Sequence, residues 1–240
     1  MKQQPVFRAI INRLQAHYGK PRPPKTSDAL GLVIYENIAY LQSDAKRDLA
    51  FDSLQMTVGL KPTDILATPI EDLTNITRLG GSHAELRAAR LKEIAQIVLN
   101  DFDGDLDNAL KLSLPQAIKA LKKFPAIGLP GAEKILLLTK TYPLQVLDSN
   151  GLRVLLRLGF GEERKSYSAI YASVKEALKD QIGTDCDFLI AAYQLLRQHG
   201  KELCRTHNPA CEMCPVSLSC HYYRRQEAVT RKSEPHRAEG

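Results

Sequence analysis

The chain has 240 residues, 44% hydrophobic and 25% charged, with 33 Lys and Arg against 27 Asp and Glu for a formal charge of +6. These proportions exclude global disorder and low-complexity behaviour, and they leave room for one large core or two compact lobes. No apolar run is long enough to span a bilayer, and the mild positive balance permits a nucleic-acid partner without demanding one.

In chain order, MKQQPVFRAIINRL starts an amphipathic helix with apolar Val6, Ile10, Ile11 and Leu14. It has neither the apolar core nor the cleavage site of a signal peptide, so cytoplasmic residence is expected. After the break at Pro21–Arg22–Pro23–Pro24 comes a largely apolar helix from Asp28 to Tyr40. Ser43 and Thr63 precede further helical stretches, and Ser82 with Glu85 fits a capping box before Leu86–Leu91–Ile94–Ile97–Val98. Ile118 and Leu121 run into Phe124. A tight turn through Pro125–Ala126–Ile127–Gly128 follows, and Pro130 suits the first position of a new helix, where its missing N–H costs nothing. Leu144–Gln145–Val146–Leu147 is the best strand candidate, too short and isolated to build a sheet. The tail after Tyr223 is almost devoid of apolar residues and is expected to be disordered. The prediction is an all-α fold in two helical lobes.

Four of the five cysteines, Cys204, Cys211, Cys214 and Cys220, fall in one segment spaced C-x6-C-x2-C-x5-C. In a reducing compartment this points to metal or cluster ligation rather than disulfides. A structural zinc usually draws its ligands from two separated knuckles. Four thiols in one compact loop favour a [4Fe–4S] cube, with zinc as the alternative. Cys186 reads as a buried small hydrophobe.

Two further features carry chemistry. Backbone N–H groups at the turn before Pro130 form an anion pocket suited to a DNA phosphate, although ordinary helix corners share the pattern. Asp148 makes sense as a helix N-cap whose N–H bonds hold the carboxylate ionised, and capping alone would account for it.

The cysteine spacing, with Ala191 to Gly200 (AAYQLLRQHG) before it and Cys214–Pro215 within it, resembles the iron–sulfur loop of one glycosylase branch. That branch is the endonuclease III and adenine-DNA glycosylase group of the helix-hairpin-helix base-excision glycosylases. Leu121 to Ile135 (LKKFPAIGLPGAEKI) resembles its hairpin: Leu121, Phe124, Pro125, Ile127, Gly128 and Ala132 match in register, while Ala126 replaces the first glycine. Val146 to Val154 (VLDSNGLRV) is similar to the stretch whose aspartate is catalytic, which makes Asp148 that residue.

The resemblance implies a domain plan and a partner. Residues 1–27 would be an N-terminal helix packing with the cluster lobe. Residues 28–135 would form a six-helix lobe ending in the hairpin at 121–135. Residues 136–223 would form the cluster lobe with its loop at 204–220, and 224–240 a basic tail. The partner would be double-stranded DNA, gripped by Pro125, Ala126, Ile127, Gly128, Gly131, Lys134 and Tyr40, with the protein a monomer and no membrane involved. The chain ends soon after the cysteines, so it would lack the extra domain with which adenine-DNA glycosylases recognise oxidised guanine.

Bifunctional members place a lysine two residues after the hairpin's second glycine, where this chain has Pro130. Without that amine, Schiff-base lyase chemistry by the usual route is unavailable; Lys134, one turn on, reads as solvated or phosphate-facing. What remains is hydrolysis, with Asp148 stabilising the oxocarbenium sugar and an acid protonating the leaving base. A gapless alignment puts Glu36 at the catalytic glutamate of adenine-DNA glycosylases, where burial would raise its pKa. Another register pairs Glu36 with a glutamine, and Glu36 could simply reach solvent or pair with Arg47. Tyr35 and Tyr40 could stack on or wedge beside a flipped base, or serve the core. Asn37 could read a base edge or cap a partner helix. His83 could grip DNA or stand exposed after the Ser82 cap.

The expected function is a monofunctional DNA glycosylase of base excision repair, acting on a damaged or mispaired base, a purine under this alignment. The alternatives are a glycosylase of alkylated or deaminated bases that needs no Glu36, and a noncatalytic iron–sulfur DNA-binding protein.

Overall fold

The structure is a computed structural model, and it describes residues 6–39 and 43–226. Tyr40 and positions 227–240 of the expected tail lie outside the described residues. The described residues are helical, with no strand among them, and no helix is long and apolar enough to cross a membrane. Leu144–Leu147, the strand candidate, is an irregular segment with no partner strand among the described residues.

The chain divides into two compact units, residues 23–144 and residues 1–22 with 145–240. In the first, α2 (Ala29–Asn37), α3 (Asp44–Thr57), α4 (Pro62–Ala67) and α5 (Ile70–Arg78) precede the long α6 (Ala84–Phe102), followed by α7 (Asp107–Leu110), α8 (Leu114–Leu121) and α9 (Leu129–Leu138). Helix α6 is the axis of this unit and packs against α2, α4 and α5, with Leu91, Ile94, Ala95 and Val98 fully buried. The unit reaches Leu144 rather than stopping at 135. Helix α9 runs on through Leu138 with Ile135, Leu136, Leu137 and Leu138 buried, and Thr141 N–H and Tyr142 N–H donate back to Leu136 O.

Among the described residues, six of the twelve α-helices open on a side-chain cap or a capping box. Asp28 accepts from Gly31 N–H, Ser43 accepts from Lys46 N–H, and Ser113 N–H donates to Gln116 Oε1 in a capping box. The box expected at Ser82 and Glu85 is not formed. His83, exposed and left-handed at φ 60, is the residue before α6, and its side chain makes no capping bond.

The second unit contains α1 (Phe7–Tyr18), α10 (Ser149–Leu158), α11 (Tyr167–Leu178) and α12 (Cys186–Glu202), then two 3-10 turns, Cys211–Met213 and Ser217–Ser219. Its core joins Phe7, Ile10, Ile11 and Leu14 of α1 to Leu152, Leu155, Leu158, Leu195 and Leu196. Phe7 takes the inward position assigned from periodicity to Val6, which is 64% exposed; the Phe7 ring stands edge-on to Phe160 and Phe188. Helices α10 and α12 cross where Gly200 faces Asn150. A Cβ on Gly200 would lie 2.7 Å from Asn150 Cβ, so only glycine permits the approach. Cys186 is half-buried at the first position of α12 rather than buried, because Asp185 caps the helix just before it. Residues 224–226, expected in the disordered tail, continue a helical turn begun at 221, and Arg224 donates to Leu218 O.

Candidate active site and cysteine pocket

Asp148 is the N-cap of α10 in extended backbone conformation. Its Oδ1 accepts from Gly151 N–H at 2.8 Å and its Oδ2 from Asn150 Nδ2 at 3.2 Å. The same Oδ2 lies 3.3 Å from Arg197 Nε, and both side chains are 26% exposed. Two local bonds set the carboxylate's direction, and a cation from α12 sits beside the oxygen that points away from the cap. Tyr167 opens α11 close by. Burial, followed by the charges of Asp148 and Tyr193, pushes its phenol up.

The helix that Asp148 caps is also tied to the cysteine loop. Arg153 donates through Nε to Cys204 O at 2.9 Å and through Nη2 to Gly200 O at 2.7 Å and Asn150 Oδ1 at 3.0 Å. Arg157 reaches Arg205 O at 2.7 Å and Thr206 O at 3.1 Å, and its Nη1 stands 3.4 Å from Cys204 Sγ. Cys204, Cys211, Cys214 and Cys220 line one pocket with Val154, Leu158, His199 and Val216. Burial, opposed by a Val216 N–H bond and reinforced by the thiols of Cys204, Cys220 and Cys211, pushes Cys214 up to about 11. Four thiols lining one apolar-walled space are a donor set that a bound cation would hold as thiolates. Among the described residues, no three His, Cys, Asp or Glu side chains converge as ligands of a single metal ion. His199, 1% exposed, stands with Nε2 3.5 Å from Cys214 Sγ, while its Nδ1 bonds Tyr18 OH at 2.9 Å.

The remaining expected site residues lie in the other unit. Lys134 Nζ is 2.5 Å from Glu36 Oε2 and Arg47 Nη1 is 4.0 Å from Oε1, with side-chain exposures of 16% for Lys134, 19% for Arg47 and 20% for Glu36. Two cations therefore reach Glu36: Arg47 of α3, the partner its sequence allowed, and Lys134 of α9. Lys134, expected to be solvated or phosphate-facing, is half-buried for the same reason. Tyr35 is held in packing rather than free to stack. Its ring meets Phe51 edge-on at 5.4 Å and its hydroxyl donates to Asp48 at 2.6 Å. Asn37 is fully buried, with Nδ2 donating to Val33 O, its backbone carbonyl accepting from Arg87 Nη1 at 2.6 Å, and its side-chain Oδ1 without a hydrogen-bond partner among the described residues.

The hairpin turn keeps a left-handed residue at the replaced glycine: Ala126 has φ 59. Ala126 and Gly128 are exposed while Ile127 turns inward at 5% exposure, and Pro125 and Gly131 are half-exposed. Helix α9 opens at Leu129, one residue before the expected start, with Gly128 as its N-cap and Pro130 in its first turn.

Arg197, Asn150 and Tyr167 were not legible as site residues. Arg197 and Tyr193 do stand one helical turn apart in the final-helix motif, which was the available signal.

No family model matches the chain. It is 25% identical over 221 residues to an endonuclease III of Thermotoga maritima, covering 92% of this chain and 93% of that one. It is 28% identical over 163 residues to a thymine/uracil-DNA glycosylase of Methanothermobacter thermautotrophicus, covering 67% of each. Its fold matches an endonuclease III solved in a non-covalent complex with DNA, with TM-score 0.74 and 18% identity over 95% of this chain and all of the other.

Proposed function

We propose that this chain, similar in sequence and fold to the endonuclease III-like helix-hairpin-helix DNA glycosylases, is a monofunctional member that hydrolyses the N-glycosidic bond of a damaged or mispaired base in double-stranded DNA. The observation that carries the reading is Asp148. It is an ionisable group fixed by Gly151 N–H and Asn150 Nδ2 at the start of a helix, in the stretch that resembles the catalytic aspartate of that branch. A carboxylate so directed stabilises the positive charge that develops on the sugar and orients water to the anomeric carbon. At the position of the lyase lysine stands Pro130, which has no nucleophile, so the reaction ends at the abasic site.

The hairpin supports a phosphate grip. Ala126 and Gly128 present exposed backbone at the start of α9, and Lys122 and Lys123 are exposed beside them. Cys204, Cys211, Cys214 and Cys220 would hold a [4Fe–4S] cluster, which when bound staples the loop and supplies a one-electron redox centre. Arg153 and Arg157 connect that loop to the helix carrying Asp148.

One observation favours the reading in which no acid at Glu36 is needed. With Lys134 on one oxygen and Arg47 near the other, Glu36 is an ion-pair partner rather than a proton donor to a leaving purine. Bases that leave readily unaided, alkylated or deaminated, then suit the site better than an intact adenine.

The test is a panel of end-labelled duplexes, each with one lesion or mismatch, incubated with cluster-loaded protein and resolved with and without hot alkali. Cleavage that requires alkali is expected and names the base. Cleavage without alkali overturns the monofunctional reading, and an uncut panel with retained DNA binding favours the noncatalytic one.

A further inference from the structure

Asp148 has a neighbour that its proposed chemistry does not explain. Its orientation is already set by Gly151 N–H and Asn150 Nδ2, so the Arg197 guanidinium is not needed to aim it. Nor does a cation help the reaction where it stands. A positive charge 3.3 Å from Oδ2 opposes the task of stabilising a second positive charge on the sugar. The residue that makes this contact is nonetheless brought there deliberately by the fold. Gly200 admits α12 against the start of α10, and Arg197 lies one turn before it on α12.

A carboxylate that faces an anomeric carbon lies close to the two phosphates of the same nucleotide. A guanidinium beside that carboxylate, one quarter exposed, can exchange one anionic partner for another, and phosphate accepts its planar fork well. The exchange would also remove the opposing charge from Asp148 when substrate is in place. Tyr167, near enough to Asp148 and Tyr193 for their charges to act on its phenol, gives the same corner an aromatic surface against which an extruded nucleotide can rest.

We propose that Arg197 grips a backbone phosphate flanking the extruded nucleotide, leaving Asp148 Oδ2 for that phosphate when DNA binds. The proposal rests on the glycosylase reading of Asp148. It makes Arg197 a positioning residue: the ion pair of the free protein holds the guanidinium ready, and the phosphate contact sets the sugar against the carboxylate.

The test is a chemical double-mutant cycle on the full, cluster-loaded chain. Duplexes carry an unreactive tetrahydrofuran abasic analogue, with a neutral methylphosphonate placed singly at each linkage around it. Wild-type affinity is expected to fall about tenfold at one flanking linkage, the loss of one charge-assisted contact. Arg197→Gln is expected to bind unmodified DNA about as weakly, to lose nothing further at that linkage, and to show a salt slope shallower by about one. Arg197→Lys, which keeps the charge, retains part of the linkage sensitivity and guards against a folding defect in the glutamine variant. If both variants show the full wild-type loss at every linkage, or if the wild type is indifferent to both flanking linkages, the proposal fails. Excision on matched duplexes bearing a real lesion separates the two readings. An intact cycle with no excision sinks the glycosylase reading alone, and excision with an additive cycle sinks the role of Arg197 alone.

Discussion

Lys134 of α9 closes an ion pair on Glu36 of α2, Nζ to Oε2 at 2.5 Å, across 98 positions of sequence. With Arg47 4.0 Å from the other oxygen, the carboxylate ties together three helices of its unit. Glu36→Gln removes the charge that half-buried Lys134 and Arg47 face, and it is expected to cost about 1–3 kcal/mol of stability in urea unfolding. The excision rate at saturating substrate should change by less than about tenfold, since less than about 1.4 kcal/mol of transition-state stabilisation is removed. A rate loss of several orders with unchanged unfolding would restore Glu36 as the acid.

Asp148 serves two roles that substitutions can separate. Asparagine caps a helix about as well as aspartate, so Asp148→Asn should unfold within about 0.5 kcal/mol of wild type, while Asp148→Ala should lose roughly 1 kcal/mol. Both should bind lesion DNA, and both should lose excision by at least about two orders of magnitude. Single-turnover excision beside urea melts makes the comparison, and an active Asn variant would reduce Asp148 to a cap.

Ala126 occupies left-handed backbone at φ 59, a conformation that costs an L-residue roughly 1–2 kcal/mol. Glycine removes that cost but gives the unfolded chain about 0.4–1 kcal/mol more freedom. Ala126→Gly should therefore raise stability by about 0.5–1 kcal/mol, seen as a higher urea midpoint. An unchanged or lower midpoint would show that the turn relaxes around alanine.

Pro130 sits in the first turn of α9, where its missing N–H has no intrahelical partner to lose, so Pro130→Lys should fold. It would place an amine where bifunctional relatives of the hairpin carry theirs. Borohydride should then trap a covalent protein–DNA adduct that wild type does not form, and strand cleavage should appear before alkali. Failure to trap an adduct from a folded, excising variant would mean that residue 130 does not reach the sugar.

Arg153 spans from Asn150 to Cys204 O and Gly200 O, so removing it should loosen the cysteine loop and the start of α10 together. Arg153→Ala is expected to cost about 2–4 kcal/mol, given three hydrogen bonds from one charged group. Iron content per chain should fall in parallel. Full iron loading with normal stability would show that the loop holds itself.

Much of the outline was legible because it depends on local pattern. Apolar spacing marked α1 and α6, and Pro125 to Gly128 marked the break before α9, since a turn is written in a few adjacent residues. The cysteines were legible as a group because one loop contains them all, and they do line one pocket. The errors were also local. Ser82 had the right chemistry for a cap, but the left-handed backbone at His83 moved the helix start past it. Val6 fitted the apolar period as well as Phe7 did, and only packing against Phe160 and Phe188 chose between them.

By itself the sequence determined an all-α fold, the position of the hairpin, the grouping of four thiols and Asp148 as a helix cap, because each is a property of neighbouring residues. Tertiary structure alone decided the electrostatic partners. Glu36 met Lys134 and Arg47, Asp148 met Arg197, and the loop at Cys204 met Arg153 and Arg157. Charge pairing acts over a few ångströms of space without regard to chain distance. The sequence could therefore offer nearby Arg47 as a partner for Glu36, but not Lys134 from 98 positions away.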